Sequence, residues 1–255
     1  MEPILRIGAL ISGGGTNLQA VIDGCENHSI SGRVVFVGSD NPDAGGLERA
    51  RRHNIPSFVV DYGAIIRNYR QDRARQPLPA DFDFEETQRK CCLFPPSTEA
   101  DRIRQFLETR AIAEAALIEA MDAYPYDLLI LAGFMRNLTP YFIDRLNRDP
   151  ALPRIMNIHP ALLPSFPGVD GYGDTYHYGC KVGGCTVHFI DYGEDSGPII
   201  GQRAFALQQG DSLETFKKKG LAEEWKLYPH CIELYAQGKL KVVEGIKRRI
   251  VSIAP

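Results

Sequence analysis

What most restricts the fold of this chain is an alternation in its first half. Short apolar, β-branched runs at residues 4–11, 33–39, 57–60 and 128–132 are separated by helical patterns at 18–27, 47–53 and 102–123. A strand that is apolar at successive positions has both faces covered, and strands alternating with helices pair in parallel through right-handed crossovers. The expected architecture is an α/β fold on an open, mostly parallel, doubly wound sheet. Such sheets gather the C-terminal ends of their strands along one edge, where ligands bind.

The second half predicts a strand at 154–158, strands at 185–191 and 198–205 joined by 192–197, a helix within 212–235 and a last strand at 239–243, together a C-terminal strand-helix elaboration. With no internal repeat, residues 1–255 read as a single domain. Two stretches break the rhythm. Residues 62–96, holding Arg73-Ala74-Arg75, Pro77, Pro79 and Pro95-Pro96, are too long and aperiodic for an ordinary connection and read as an insertion. It is either a surface excursion or a lid or subunit contact. Residues 169–179 crowd Tyr172, Tyr176, His177 and Tyr178 among glycines. Glycine disfavours helix by about 1 kcal/mol per residue, which predicts a loop there.

Composition removes several classes. A net charge of −3 gives no electrostatic case for nucleic acid. No apolar run reaches the roughly 18 residues that span a bilayer, and Met1-Glu2-Pro3-Ile4 lacks the basic start of a secretory signal. The six cysteines show no Cys-x-x-Cys spacing, although adjacent Cys91-Cys92 would suit metal binding or redox sensing. Free thiols in a cytoplasmic protein are the default expectation.

Three segments bring polar groups to the ligand edge. Ser12-Gly13-Gly14-Gly15-Thr16-Asn17 joins the first strand to the first helix. Its glycines permit a tight turn and expose N–H groups, and the helix N-terminus adds positive charge, so it suits a phosphate. It equally suits an ordinary turn capped by Thr16 or Asn17. Asn157 and His159 lie two apart on an extended segment that Pro160 ends, presenting an amide and an imidazole on one face. Such a pair can stabilise an oxyanion and move a proton, unless His159 is merely structural. Asp191-Tyr192-Gly193-Glu194-Asp195-Ser196-Gly197-Pro198 is either a solvated turn or the source of a carboxylate that orients His159 and raises its pKa. His188 reads as buried support and His177 as a candidate substrate contact. No His-Glu-x-x-His spacing calls for a metal, and no Gly-x-Ser-x-Gly elbow for a serine hydrolase.

In order along the chain, Ile11-Ser12-Gly13-Gly14-Gly15-Thr16-Asn17-Leu18-Gln19, Ala132-Gly133-Phe134-Met135-Arg136, Asn157-Ile158-His159-Pro160-Ala161-Leu162-Leu163-Pro164, Gly184-Cys185-Thr186-Val187-His188-Phe189 and Asp195-Ser196-Gly197-Pro198 resemble the phosphoribosylglycinamide formyltransferase family. The resemblance covers most of the chain outside 62–96. It implies a formyltransferase-like variant of the Rossmann fold and a role in purine biosynthesis: transfer of a formyl group from 10-formyltetrahydrofolate, the co-substrate, to the primary amine of glycinamide ribonucleotide, with no metal. By that likeness Asn157, His159 and Asp195 are catalytic, a protonated His159 being held in its charged form by Asp195. Gly15, Thr16, Asn17 and Glu224 meet the phosphoribosyl amine. Arg110, Met135, Arg136, Asn137, Leu138, Asp191 and Asp195 meet the folate. Partners are then small molecules, without nucleic acid or membrane, for a monomer or homodimer. Residues 169–179 depart from the family's histidine-bearing stretch, which leaves room for a different amine acceptor. Hydrolysis of 10-formyltetrahydrofolate is disfavoured, because hydrolase relatives carry an N-terminal regulatory domain and this chain begins almost at its first strand.

Overall fold

The computed structural model describes residues 4–255, so the Met1-Glu2-Pro3 of the signal argument lie outside the described residues. The elements are β1 (Leu5–Ile11), α1 (Thr16–Glu26), β2 (Gly32–Ser39), α2 (Gly46–Arg52), β3 (Ser57–Val59), α3 (Tyr62–Gln71), α4 (Phe84–Lys90), α5 (Ala100–Asp122), β4 (Leu128–Leu131), α6 (Pro140–Leu146), β5 (Ile155–His159), α7 (Gly171–His177), β6 (Val182–Phe189), β7 (Ile199–Ala206), α8 (Leu213–Ala236), β8 (Leu240–Glu244) and β9 (Arg249–Ile253). Seven strands form one sheet in the order β3-β2-β1-β4-β5-β6-β7, and β8 with β9 make a separate hairpin. Pairing is parallel from β3 through β5 and antiparallel at β6 and β7. The α/β, mostly parallel sheet expected from the apolar runs is what forms.

Period-two alternation divides each strand between two cores. Ile7, Ala9, Ile11 and Ile130 pack with Leu18, Val21, Leu227 and Ile232 of α1 and α8. Leu10, Leu129 and Leu131 pack on the other face with Leu117 of α5, Phe142 of α6 and Tyr62 of α3. Strand order reverses between β1 and β4, and the loops beyond them are tied by the Ser12 amide donating to the Gly133 carbonyl at 3.0 Å. That reversal opens the crevice where open α/β sheets take ligands. On the α8 side, wholly buried Tyr228 places its hydroxyl 3.0 and 2.9 Å from the carbonyl oxygens of Leu131 and Met156, anchoring α8 beneath the same edge.

Sequence periodicity missed α3, α4, α6, α7 and β9. Residues 62–96 contain two capped helices: Asp61 accepts from the Ala64 amide at 2.8 Å, and Asp83 from that of Glu86 at 2.9 Å. Tyr69 of α3 bonds Glu108 of α5, Lys90 of α4 bonds Asp144 of α6, and Asp81 between the two helices bonds Arg145 of α6, ties that hydrophobic periodicity cannot register. Residues 169–179 are also not the expected loop. Asp170 caps α7 by accepting from the Gly173 amide at 3.2 Å, which offsets part of the glycine cost. Gly171 is needed for space, since a Cβ there would lie 2.8 Å from the Pro160 carbonyl and 3.0 Å from His159 Nε2. Among the described residues, no helix is long and apolar enough to cross a membrane.

One buried carboxylate makes stability depend on pH. Glu114 of α5 accepts from both the amide (2.8 Å) and hydroxyl (2.5 Å) of Thr139, where α6 begins. Burial pushes its carboxyl from the ordinary 4.5 up to about 7. A raised carboxyl stabilises the fold fully below its unfolded value, and that contribution is lost as pH rises through the folded value. Wild-type stability is expected to fall by about 3 kcal/mol between roughly pH 4.5 and 7 on this account. Glu114→Gln is expected to flatten that decline in denaturant titrations across the window. A slope unchanged by the substitution would contradict the assignment.

Candidate active site

β5 ends on Asn157, Ile158 and His159, and the antiparallel register sets Asn157 opposite His188 and His159 opposite Thr186. Asn157 and His159 therefore share a face, with Asn157 Nδ2 3.2 Å from His188 Nε2. His159 is 3% exposed. Its Nδ1 lies 3.2 Å from Asp195 Oδ2, and its Nε2 lies 2.8 Å from the Phe166 carbonyl oxygen. Asp195 stands between two imidazoles, since His188 Nε2 is 3.5 Å from its Oδ1, and the Gly168 amide donates to Oδ2 at 2.8 Å. The loop that presents Asp195 is braced by Asp191, which accepts from the Ser196 hydroxyl at 2.5 Å and the Gly193 amide at 3.2 Å. Asp195 itself takes a left-handed φ of 49°, a strained choice for a non-glycine residue that marks functional turns.

Two influences on the His159 imidazole oppose each other. Burial pushes the His159 imidazole below its ordinary value, and the neighbouring Asp195 charge offsets only part of that. With Nδ1 against a carboxylate and Nε2 against a carbonyl, both ring nitrogens face acceptors, so protonation completes both hydrogen bonds while burial opposes it. For Asp195, burial works upward, but hydrogen bonding to His188, the charge of His159 and the Gly168 amide together hold it below the usual carboxylate range.

A cleft of about 440 Å³ unites these groups with Arg110, Met135, Arg136, Asn137, Leu138 and Asp191, and also with Asn17, Tyr172 and Glu224. Ser12 Oγ accepts from the Met135 amide at 2.7 Å, Arg136 pairs with Asp40, and Asn137 donates to Glu194 at 3.2 Å, which fixes the loop after β4. Arg110 is 7% exposed, with its guanidinium carbon 5.1 Å from the Tyr62 ring centre and 4.6 Å from that of Phe106. Its Nε has no partner among the described residues, and burial lowers its pKa.

Gly15 and Thr16 lie outside the cleft lining; Thr16 instead borders a separate groove of about 660 Å³ between α1 and α8. Neither Thr16 nor Asn17 is the N-cap. Gly15 is, at φ 68°, with a Cβ there brought 2.9 Å from the Gly46 Cα. No side chain caps α1, so its first amides stay available to an anion. Asn17 turns inward and donates to Glu224 at 2.6 Å.

Sequence reasoning missed Tyr172, Leu93 and Phe106 as cleft residues. Leu93 lies near the end of the insertion, where the neighbouring Cys92 amide donates to the Tyr192 carbonyl at 3.0 Å, so residues 62–96 reach the cleft as well as the surface. Only the aromatic crowding of 169–179 hinted at Tyr172. Exposed His177 instead packs on the Tyr176 ring, outside the cleft. Among the described residues, no cluster of His, Cys, Asp and Glu is arranged to hold a metal ion.

The formyl transferase family matches residues 5–232. The phosphoribosylglycinamide formyltransferase of Escherichia coli (strain K12) is 31% identical over 241 residues, covering 94% of this chain and 92% of that protein. The trifunctional purine biosynthetic protein adenosine-3 of Bos taurus is 30% identical over 240 residues, 94% of this chain but only 19% of that much longer protein. Glycinamide ribonucleotide transformylase 1 from Symbiobacterium toebii superposes with a TM-score of 0.73 at 40% identity, covering 99% of this chain and 95% of that one.

Proposed function

The chain belongs to the formyl transferase family, matched across residues 5–232, and on that premise we propose that it transfers the formyl group of 10-formyltetrahydrofolate to the primary amine of glycinamide ribonucleotide. In this reading it is a cytoplasmic enzyme of purine biosynthesis, a monomer or homodimer, with residues 62–96 inserted in a single domain. The observation that carries the reading is the convergence of Asn157, His159 and Asp195 in one cleft.

The acceptor nitrogen attacks the formyl carbon, a C–N bond forms, and the carbonyl electrons move onto oxygen. Asn157 and the His159 imidazole stabilise that oxyanion. Proton loss from the acceptor nitrogen charges His159, directly or through water, and Asp195 at 3.2 Å balances the imidazolium. Collapse breaks the bond to folate N10, which takes up the proton. Burial opposes the imidazolium and Asp195 favours it, so a negative oxygen beside the ring favours the charged form where the reaction needs it.

Two features support the assignment of substrates. A buried guanidinium with an unpaired N–H is costly unless a ligand carboxylate completes it, so Arg110 suits the acidic tail of folate. Met135, Arg136, Asn137, Leu138 and Asp191 then form the rest of the folate wall. The uncapped amides of α1 at Gly15, Thr16 and Asn17 suit the ribose phosphate, and Glu224 the acceptor's hydroxyls. Incubation with 10-formyltetrahydrofolate and a panel of amines tests the whole reading: tetrahydrofolate release is expected to depend on glycinamide ribonucleotide. Turnover confined to another amine, or formate release without any amine, would overturn it.

A further inference from the structure

We propose that Tyr172 is a positioning residue for acceptor binding, its hydroxyl holding the Glu224 carboxylate in the orientation that meets the acceptor. The proposal rests on the reading that Glu224 faces glycinamide ribonucleotide. The Tyr172 hydroxyl donates to Glu224 Oε1 at 2.5 Å, while Asn17 Nδ2 donates to Oε2 at 2.6 Å. Tyr172 is 5% exposed and Glu224 4%, yet all three residues line the cleft. Asn17 Oδ1 is buried there without a partner among the described residues. Each Glu224 oxygen has spare lone pairs, so the cluster is rich in acceptors and suits a ligand that donates, as a vicinal diol does.

The placement of Tyr172 is built into two helices. Gly220 and Glu224 lie four apart on α8 and share a face. A Cβ on Gly220 would sit 2.1 Å from Tyr172 Cζ, so glycine leaves the space the ring fills while the hydroxyl meets Glu224 one turn later. Phe216 and Phe205 flank the ring, with centres 6.0 and 6.3 Å away. Asp170, the cap of α7, also bonds Lys217 of α8 at 3.1 Å. Residues 169–179 thus hold a helix that aims one phenol at the Glu224 carboxylate.

Tyr172→Phe keeps the ring and removes the bond. Its KM for glycinamide ribonucleotide is expected to rise about tenfold, with kcat and the KM for 10-formyltetrahydrofolate within about threefold of wild type. In a Glu224→Gln background the same substitution is expected to change the acceptor KM by less than about threefold, because the effect passes through the carboxylate. A packing role would shift both KM values or the melting temperature instead. The assignment fails if Tyr172→Phe leaves the acceptor KM unchanged, or if its effect multiplies undiminished on Glu224→Gln. Absence of wild-type turnover on glycinamide ribonucleotide overturns the acceptor reading and this inference together.

Discussion

Asp195→Asn is expected to lower kcat by about a hundredfold to a thousandfold while leaving the fold intact. The substitution isolates charge from shape. Asparagine tolerates left-handed backbone about as well as aspartate, so the φ of 49° at this position is retained, and the side chain occupies the same volume. What disappears is the negative charge 3.2 Å from His159 and 3.5 Å from His188. Burial already holds His159 below its ordinary pKa, and the carboxylate is its main countervailing influence. Without it, an imidazolium formed in a site screened from water loses its buried partner charge, leaving the transient oxyanion and a lesser contribution from Glu194. Steady-state kinetics with both substrates and a thermal melt decide the matter. A kcat within about threefold of wild type at an unchanged melting temperature would remove Asp195 from the mechanism.

The parts of this site legible from the sequence are those governed by local rules. Runs such as Ile7 to Ile11 and Leu128 to Leu131 announce strands covered on both faces, and spacing alone puts Asn157 and His159 on one face at a strand end. Asp195, Glu224 and Arg110 were assigned only through family likeness, because nothing local tells which carboxylate or guanidinium will turn inward. The α7 helix was illegible because its glycines are paid back by contacts distant in sequence: Gly171 lies against Pro160 and His159, and Gly173 answers the Asp170 cap. The helices within 62–96 depend on caps and ion pairs to α5 and α6 as well as on the short apolar stripe of Tyr62, Ile65 and Tyr69 on α3. The direction of the His159 shift was invisible for a related reason, since an adjacent carboxylate can be guessed from sequence whereas depth of burial cannot.

His159→Asn is expected to lower kcat by about a thousandfold, close to 4 kcal/mol of barrier, and to change the shape of the pH profile as well as its height. The sign follows from burial. Burial lowers the His159 pKa from its ordinary 6.5, so protonation of the ring is completed only as pH falls. Protonation in advance removes the proton acceptor, so wild-type kcat should drop on the acid side, with an apparent value belonging to the coupled His159–Asp195 pair. In His159→Asn that limb should vanish. In Asp195→Asn it should move to lower pH, because the largest influence opposing burial is then gone. The two residues act as one unit, so the double variant should lose little more than His159→Asn alone, far less than the product of the single losses. An acid limb that survives in His159→Asn, or losses that multiply in full, would mean that the imidazole and the carboxylate contribute separately and that the proton moves by another route.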